Sequence, residues 1–338
     1  MKASLACTFP LLFALYYPGC TPKVQPTMPP SDAPLEEFWQ RPDDLTSRDL
    51  FYGPWGKERA PDPDGTYRLA TRKQHGTNPG LTVLDSAGRE WHVKQPPHND
   101  QGAEGPIEVT LSRVLSAVGY HQPPVYFVPS LSIADAKDRT HVEPGGRLRL
   151  TEKSLKHAGS WSWQQNPFVG MRPYQGLLVM LVMFHSSDLK NENNALYEVN
   201  EQKDGVARWY VVRDLGSALG ETGRLAPQRG DPDIFEREPF ITAVKDGVVE
   251  FNYHGWHQEL LKNISPADVA WASEWLGQLS DEQWSDAFRA GGYPPAVADR
   301  FIGRLQQKIA EGRRLGETVA FPGVATLPVP RLAIGARR

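Results

Sequence analysis

The chain has 338 residues, of which 40% are apolar and 23% charged, with 10 Trp and 30 Pro. That length supports one large hydrophobic core or two modest ones. A net charge of −3 with an isoelectric point near 6.3 lacks the basic excess of a nucleic-acid binder, so no nucleic-acid partner is expected.

Lys2 precedes a mostly apolar run from Ala3 to Tyr17 that ends in Pro18-Gly19-Cys20. A short basic start followed by an apolar segment too short to span a bilayer is the layout of a secretory signal, here residues 1–19. The ending resembles the lipobox of bacterial lipoproteins, which implies lipidation at Cys20 and an exported, membrane-anchored chain in the cell envelope. Tyr17 and Pro18 depart from that motif, standing where Leu and a small residue are usual. Cleavage there would leave Cys20 as the only cysteine, so no intrachain disulfide is expected. Residues 20–34 carry five prolines between Thr21 and Pro34 and read as an extended tether.

Residues 35–65 are acidic, aromatic and proline-broken, and read as an irregular extension packed on the domain. From Tyr67 to Lys94 the pattern is β. Leu81–Leu84, Asp85-Ser86-Ala87-Gly88 and Trp91–Lys94 spell strand, turn, strand. Val109–Val118 is an amphipathic helix stopped by Gly119, and Val125–Val128 is a short buried strand closed by Pro129. Residues 66–150 are therefore expected to form a small β-rich lobe with one helix.

The rest, residues 151–316, reads as mainly helical. Tyr174–Phe184 is apolar all round but about half the length a bilayer needs, which makes it a buried core helix. Trp209–Val212 is a strand. Further helices are expected at Pro266–Leu276, after the capping box Ser280-Asp281-Glu282-Gln283, and at Ala296–Arg313. Residues 317–338 read as a loose tail.

Two polar segments interrupt this pattern. The buried helix runs straight into His185-Ser186-Ser187-Asp188-Leu189-Lys190-Asn191-Glu192-Asn193, and the Trp209 strand runs into Asp214-Leu215-Gly216. Taken singly, each is commonplace: an Asp-x-Lys-x-x-Asn loop is usually a polar helix end, and Asp-Leu-Gly after a strand is usually a turn. Lys94 alone is a strand-end lysine, and Glu108 alone is a first-turn acid favoured by the helix dipole. Their order along the chain is what carries information.

That order resembles the protein-kinase-like superfamily over residues 66–316. Protein kinases read Asp-Leu-Lys-Pro-Glu-Asn where this chain has Asp188-Leu189-Lys190-Asn191-Glu192-Asn193. The resemblance implies an α+β, two-lobed fold, with ATP and Mg2+ or Mn2+ as cofactors. It implies that Lys94, held by Glu108, contacts the nucleotide phosphates. Asp188 would orient the acceptor hydroxyl, Lys190 would neutralise the moving phosphate, and Asn193 and Asp214 would ligate the metal. Glu104 is the rival to Glu108, set aside because it reads as part of a Gly-rich loop.

The chain also departs from the family. No Gly-x-Gly-x-x-Gly loop is present, Ser187 stands where an Arg usually precedes the catalytic Asp, and no Ala-Pro-Glu segment follows Asp214. It is closer in style to HipA-type bacterial kinases, secreted kinases or phosphoinositide kinases. The expected activity is phosphoryl transfer to a protein or small-molecule hydroxyl. The alternatives are a catalytically inert binding or scaffold lipoprotein and a nucleotidyl (AMP) transferase on the same scaffold. An exported kinase would meet little ATP. His254 and His257 read as packing or surface residues rather than metal ligands, and Trp161 and Trp163 as core.

Overall fold

The computed structural model describes residues 33–73, 78–97, 103–200, 205–225 and 227–320, with side chains through Glu317. The signal segment, Cys20 and most of the tether lie outside the described residues, as does most of the tail.

Five strands close into a barrel in the order β1-β2-β3-β5-β4: β1 (Thr66–Arg72), β2 (Gly80–Leu84), β3 (Glu90–Lys94), β4 (Val125–Ala134) and β5 (Thr140–Leu150). All neighbours are antiparallel except β1 and β4, whose parallel pairing closes the ring. Alternation decides what fills it. Trp91 and Val93 of β3 are buried inside with Leu81, Val83, Leu148 and Leu150, while Glu90, His92 and Lys94 face outward. The Asp85 turn forms as expected. The Asp85 carboxylate accepts hydrogen bonds from the Ala87 and Arg89 amides, and Gly88 supplies a φ of 75°.

One strand runs past the end that the sequence predicts for it. β4 does not stop at Pro129 but continues to Ala134 and pairs with β5 along its length. Pro129 is skipped in the ladder, between Val128↔Gly146 and Ser130↔Pro144, where its missing amide costs no bond.

A second sheet contains β6 (Leu155–Gly159), β7 (Asn194–Val199) and β8 (Arg208–Val212), all antiparallel. The helices are α1 (Glu104–Ala117), α2 (Arg172–Met183), α3 (Pro232–Arg237), α4 (Pro266–Leu276), α5 (Asp281–Ala290) and α6 (Pro295–Ala320). A hairpin of β9 (Ile241–Lys245) and β10 (Val248–Phe251) lies between α3 and α4. Ser265 and Ser280 form capping boxes at the starts of α4 and α5. The α6 helix begins one residue earlier and runs seven residues further than the sequence pattern predicts.

α1 does not belong to the barrel core. Its Ile107, Leu111, Val114 and Leu115 sit in the larger apolar cluster with α2, α4, α5 and α6. Leu177–Met183 of α2 are 0–2% exposed, which accounts for the unbroken apolar run in the sequence. Residues 35–65 contain only short 3-10 turns, yet they are part of this core. Phe38 is fully buried and stacks on Phe168 at 4.9 Å, and the buried Glu37 carboxylate meets Arg208 at 3.1 Å.

Candidate active site

Four chain segments converge near the end of β3. β3 delivers Lys94 on its outward side, and α1 begins beside it. The Lys94 ammonium lies 3.2 Å from Glu104, 3.6 Å from Glu108 and 3.3 Å from Asp214. Burial lowers the Lys94 pKa, but the carboxylates of Glu108, Asp214 and Glu104 outweigh it and carry it above the usual lysine range.

Glu104 therefore shares the Lys94 contact with Glu108. It does not lie in a loop: the helix starts at Glu104, five residues before the apolar periodicity makes it visible. Glu104 also pairs with Arg229, while Glu108 is held by Arg147 at 2.9 Å. Arg147, from β5, gave no signal in the sequence, because an outward-facing arginine on a strand reads as solvent-facing.

β8 ends one residue before Arg213, and the chain then turns through Asp214 with a φ of 53°, a left-handed conformation that Asp tolerates better than most residues. Burial raises the Asp214 pKa, and the charges of Lys94, Arg147 and Arg213 override it, holding the carboxyl below its ordinary value. Gly216 is needed for space: a Cβ there would lie 2.8 Å from the Glu104 carbonyl oxygen. The Asp-Leu-Gly turn and the start of α1 are thus packed backbone to backbone.

The Asp188 loop is anchored from both sides. His185 follows α2 with a φ of 56°, and its Nδ1 donates to the Gly220 carbonyl at 2.8 Å. The Ser187 amide donates to Ser217 and its carbonyl accepts from the Trp256 amide, both at 2.9 Å. Leu189 is buried while Asp188 and Lys190 turn outward, 2.8 Å apart. Lys190 also lies 4.9 Å from the centre of the Trp256 ring. Asn193 donates to the Asp188 carbonyl at 2.9 Å, and the Arg213 amide donates to the Asn193 carbonyl at 3.0 Å. That last bond ties the Asp188 loop to the Asp214 turn.

The structure thus brings together Lys94, Glu104, Glu108 and Asp214 in one charge cluster, and ties Asp188, Lys190 and Asn193 to it through the backbone. Asn193 and Asp214 suit Mg2+ or Mn2+, which bind through one or two protein oxygens and complete their shell with phosphate and water. The described residues contain no group of three or more His, Cys, Asp or Glu able to hold a metal unaided. His257 pairs with Glu259 at 2.6 Å, and Trp161 and Trp163 are fully buried core residues.

A cavity of about 570 Å³ opens beside Lys94 and Asp214. Its lining includes His92, Arg147 and Arg149, and desolvation together with the neighbouring Arg147 and Arg213 charges lowers the Arg149 pKa.

No family model matches the chain, and no curated protein matches it in sequence. Comparison with solved structures finds similarity to the Helicobacter pylori proinflammatory kinase CtkA at 10% identity and a TM-score of 0.45, covering 74% of this chain and 96% of that one.

Proposed function

We propose that this protein is a metal-dependent phosphotransferase that moves a phosphoryl group from a phosphoanhydride donor to an alcohol. One observation carries this reading: Lys94 bridges Glu104, Glu108 and Asp214, and the Asp188 loop is hydrogen-bonded to the Asp214 turn. Asp188 accepts the proton of the acceptor hydroxyl. Lys190, beside it, offsets charge on the moving phosphate, and Lys94 holds the phosphates of the donor. Asn193 and Asp214 would hold Mg2+ or Mn2+, which supplies charge neutralisation at the phosphates when bound.

ATP is the donor that the family resemblance implies. The test is to follow label from ATP carrying it at the α or the γ phosphate, with Mg2+ or Mn2+, into the protein and into small alcohols. Transfer of γ-label that falls by roughly 10²–10⁴ in Asp188→Asn supports the reading. Transfer of α-label would instead indicate nucleotidyl transfer. No transfer, and no metal-dependent thermal shift with any phosphoanhydride, would leave a binding module.

A further inference from the structure

The wall of the cavity beside Lys94 is set by strand register. Thr71 pairs with Thr82, Thr82 with His92, and His92 with Arg149, so these residues form one row across β1, β2, β3 and β5. The next row is Lys73, Gly80, Lys94 and Arg147, joined by the Lys73 amide bond to Gly80 and the pairings Gly80↔Lys94 and Lys94↔Arg147. Every one of these residues lines the cavity.

A purine slot has different requirements. A neutral aromatic base gains most of its affinity from flat apolar contact on its faces. Of the apolar side chains among the described lining residues, Leu81 and Val93 are 4% exposed and belong to the barrel core, which leaves the half-buried Pro79. What the wall presents to the cavity instead is hydroxyl, imidazole, ammonium and guanidinium.

The charge is also unbalanced. Among the described residues the lining holds four cations, Lys73, Lys94, Arg147 and Arg149, against one carboxylate, Asp214. Arg147 is matched by Glu108 and Lys94 by its carboxylates, but Arg149 has no ion pair among the described residues. Burial and the neighbouring Arg147 and Arg213 charges disfavour its charged form, and Tyr197 and Glu108 offset them only in part. Mutually repelling guanidinium groups around a cavity favour an anion between them, and planar guanidinium suits phosphate oxygens in particular.

We propose that the Arg149 end of this cavity holds phosphate rather than a nucleobase, so that the donor is a linear polyphosphate. This rests on the phosphotransferase reading and names its donor. The terminal phosphate lies toward Asp214 and Asp188, and the rest of the chain runs past Lys94 and Arg147 to Arg149 and His92. The acceptor oxygen forms a bond to the terminal phosphorus as the bridging P–O bond breaks. The electron pair leaves with the shortened polyphosphate, and the hydroxyl proton passes to Asp188.

The test uses the full chain with Mg2+ and calorimetric titration of ATP, adenosine, tripolyphosphate and a longer linear polyphosphate. The expected result is binding of the longer polyphosphate about tenfold or more tighter than ATP, with no competition by adenosine. Arg149→Gln, checked for folding by thermal melting, should lose about tenfold in polyphosphate affinity and leave ATP within about twofold. His92→Phe replaces the polar imidazole with a larger apolar ring in the same row and should shift preference toward ATP. ATP binding as tight as polyphosphate and displaced by adenosine overturns the proposal, as does failure of polyphosphate to bind. Turnover of end-labelled polyphosphate and γ-labelled ATP separates the two claims. Turnover from ATP alone, lost in Asp188→Asn, keeps the phosphotransferase and removes polyphosphate as its donor. Polyphosphate binding at Arg149 without Asp188-dependent turnover from either donor removes the phosphotransferase and, with it, polyphosphate as a donor.

Discussion

Lys94 and Asp214 lie 120 residues apart in sequence and 3.3 Å apart in space. The contact joins the end of β3 to the turn after β8, and the same ammonium also meets Glu104 and Glu108 at the start of α1. Three elements therefore share one cation. If it is removed, two helix carboxylates and a turn carboxylate remain around a poorly hydrated centre, with Arg147 and Arg229 as their cations.

Lys94→Met should therefore cost stability as well as activity. Losing one partner of a buried ion cluster leaves uncompensated charge, worth about 2 kcal/mol here after allowing for partial exposure. Phosphoryl transfer should fall by about 10² or more. The double variant Lys94→Met/Glu108→Gln should regain part of the stability and none of the activity. Urea denaturation of the four proteins in the cycle measures the coupling, and a coupling near zero would mean that the Lys94–Glu108 contact does not form in solution.

Gly146 controls where Lys94 sits. Its φ is 147°, and a Cβ would stand 2.1 Å from the Lys94 carbonyl oxygen. Gly146→Ala should push β5 away from β3, costing about 2–3 kcal/mol and disturbing the site. Gly88→Ala is the control. Its φ is 75° with nothing within 4 Å of the added carbon, so only the backbone penalty of about 1–2 kcal/mol applies. Thermal melts of both variants, with donor turnover, check the contrast.

The elements that local chemistry specifies were readable in advance. Ser280 caps α5 as its capping box predicts, and the Asp85 turn closes its hairpin. The β4–β5 hairpin was missed although its turn carries the same chemistry. Asp135 accepts from the Lys137 and Arg139 amides and pairs with the Arg139 side chain, with Asp138 at a φ of 55° where the first turn has Gly88. Pro129 obscured it by resembling a strand end. At the candidate site, Lys94, Asp188 and Asp214 were visible because each lies in a short local pattern and those patterns follow one another in a telling order along the chain. Glu104 was not, because glycines on either side of it imitate a loop. Arg147 and Arg149 were invisible for a different reason: alternation shows that they face away from the barrel core but cannot show that a cavity, rather than bulk water, lies on that side.

The extension should behave as core. The sequence reads it only as packed on the domain, since Phe38 finds its partners at Tyr120, Trp161 and Phe168, over eighty residues away. Phe38→Ala should cost about 3–5 kcal/mol by leaving a cavity among these rings. Phe51, half-buried and edge-on to Tyr52, should cost under about 1 kcal/mol when cut to Ala. Equal losses by urea denaturation would show that the extension merely rests on the surface.

Acid should unfold the protein earlier than its carboxylates alone require. His185 is buried, with Nδ1 on the Gly220 carbonyl and Nε2 2.8 Å from the Lys308 ammonium, and burial followed by the Lys308 charge pushes its pKa down to about 3. His121 stacks on Trp209 at 4.6 Å, donates to the Glu36 carbonyl, and is pushed by burial down to about 4. Both are neutral in the folded chain at a pH where the unfolded chain protonates them. The unfolded state therefore binds more protons below about pH 6.5, and stability falls as pH drops from there toward the folded values. At about pH 5 each histidine costs about 2 kcal/mol. Glu311 works the other way, because burial raises its pKa and the folded state takes up that proton more readily, but its gain begins only as pH approaches the folded carboxyl's own range. His185→Gln keeps a donor for Gly220 and an acceptor for Lys308, so it should fold and lose its share of the slope. Urea midpoints at about pH 7 and about pH 5 for wild type, His185→Gln and His121→Gln measure this. An unchanged slope in both variants would show that neither imidazole is held neutral in the folded chain.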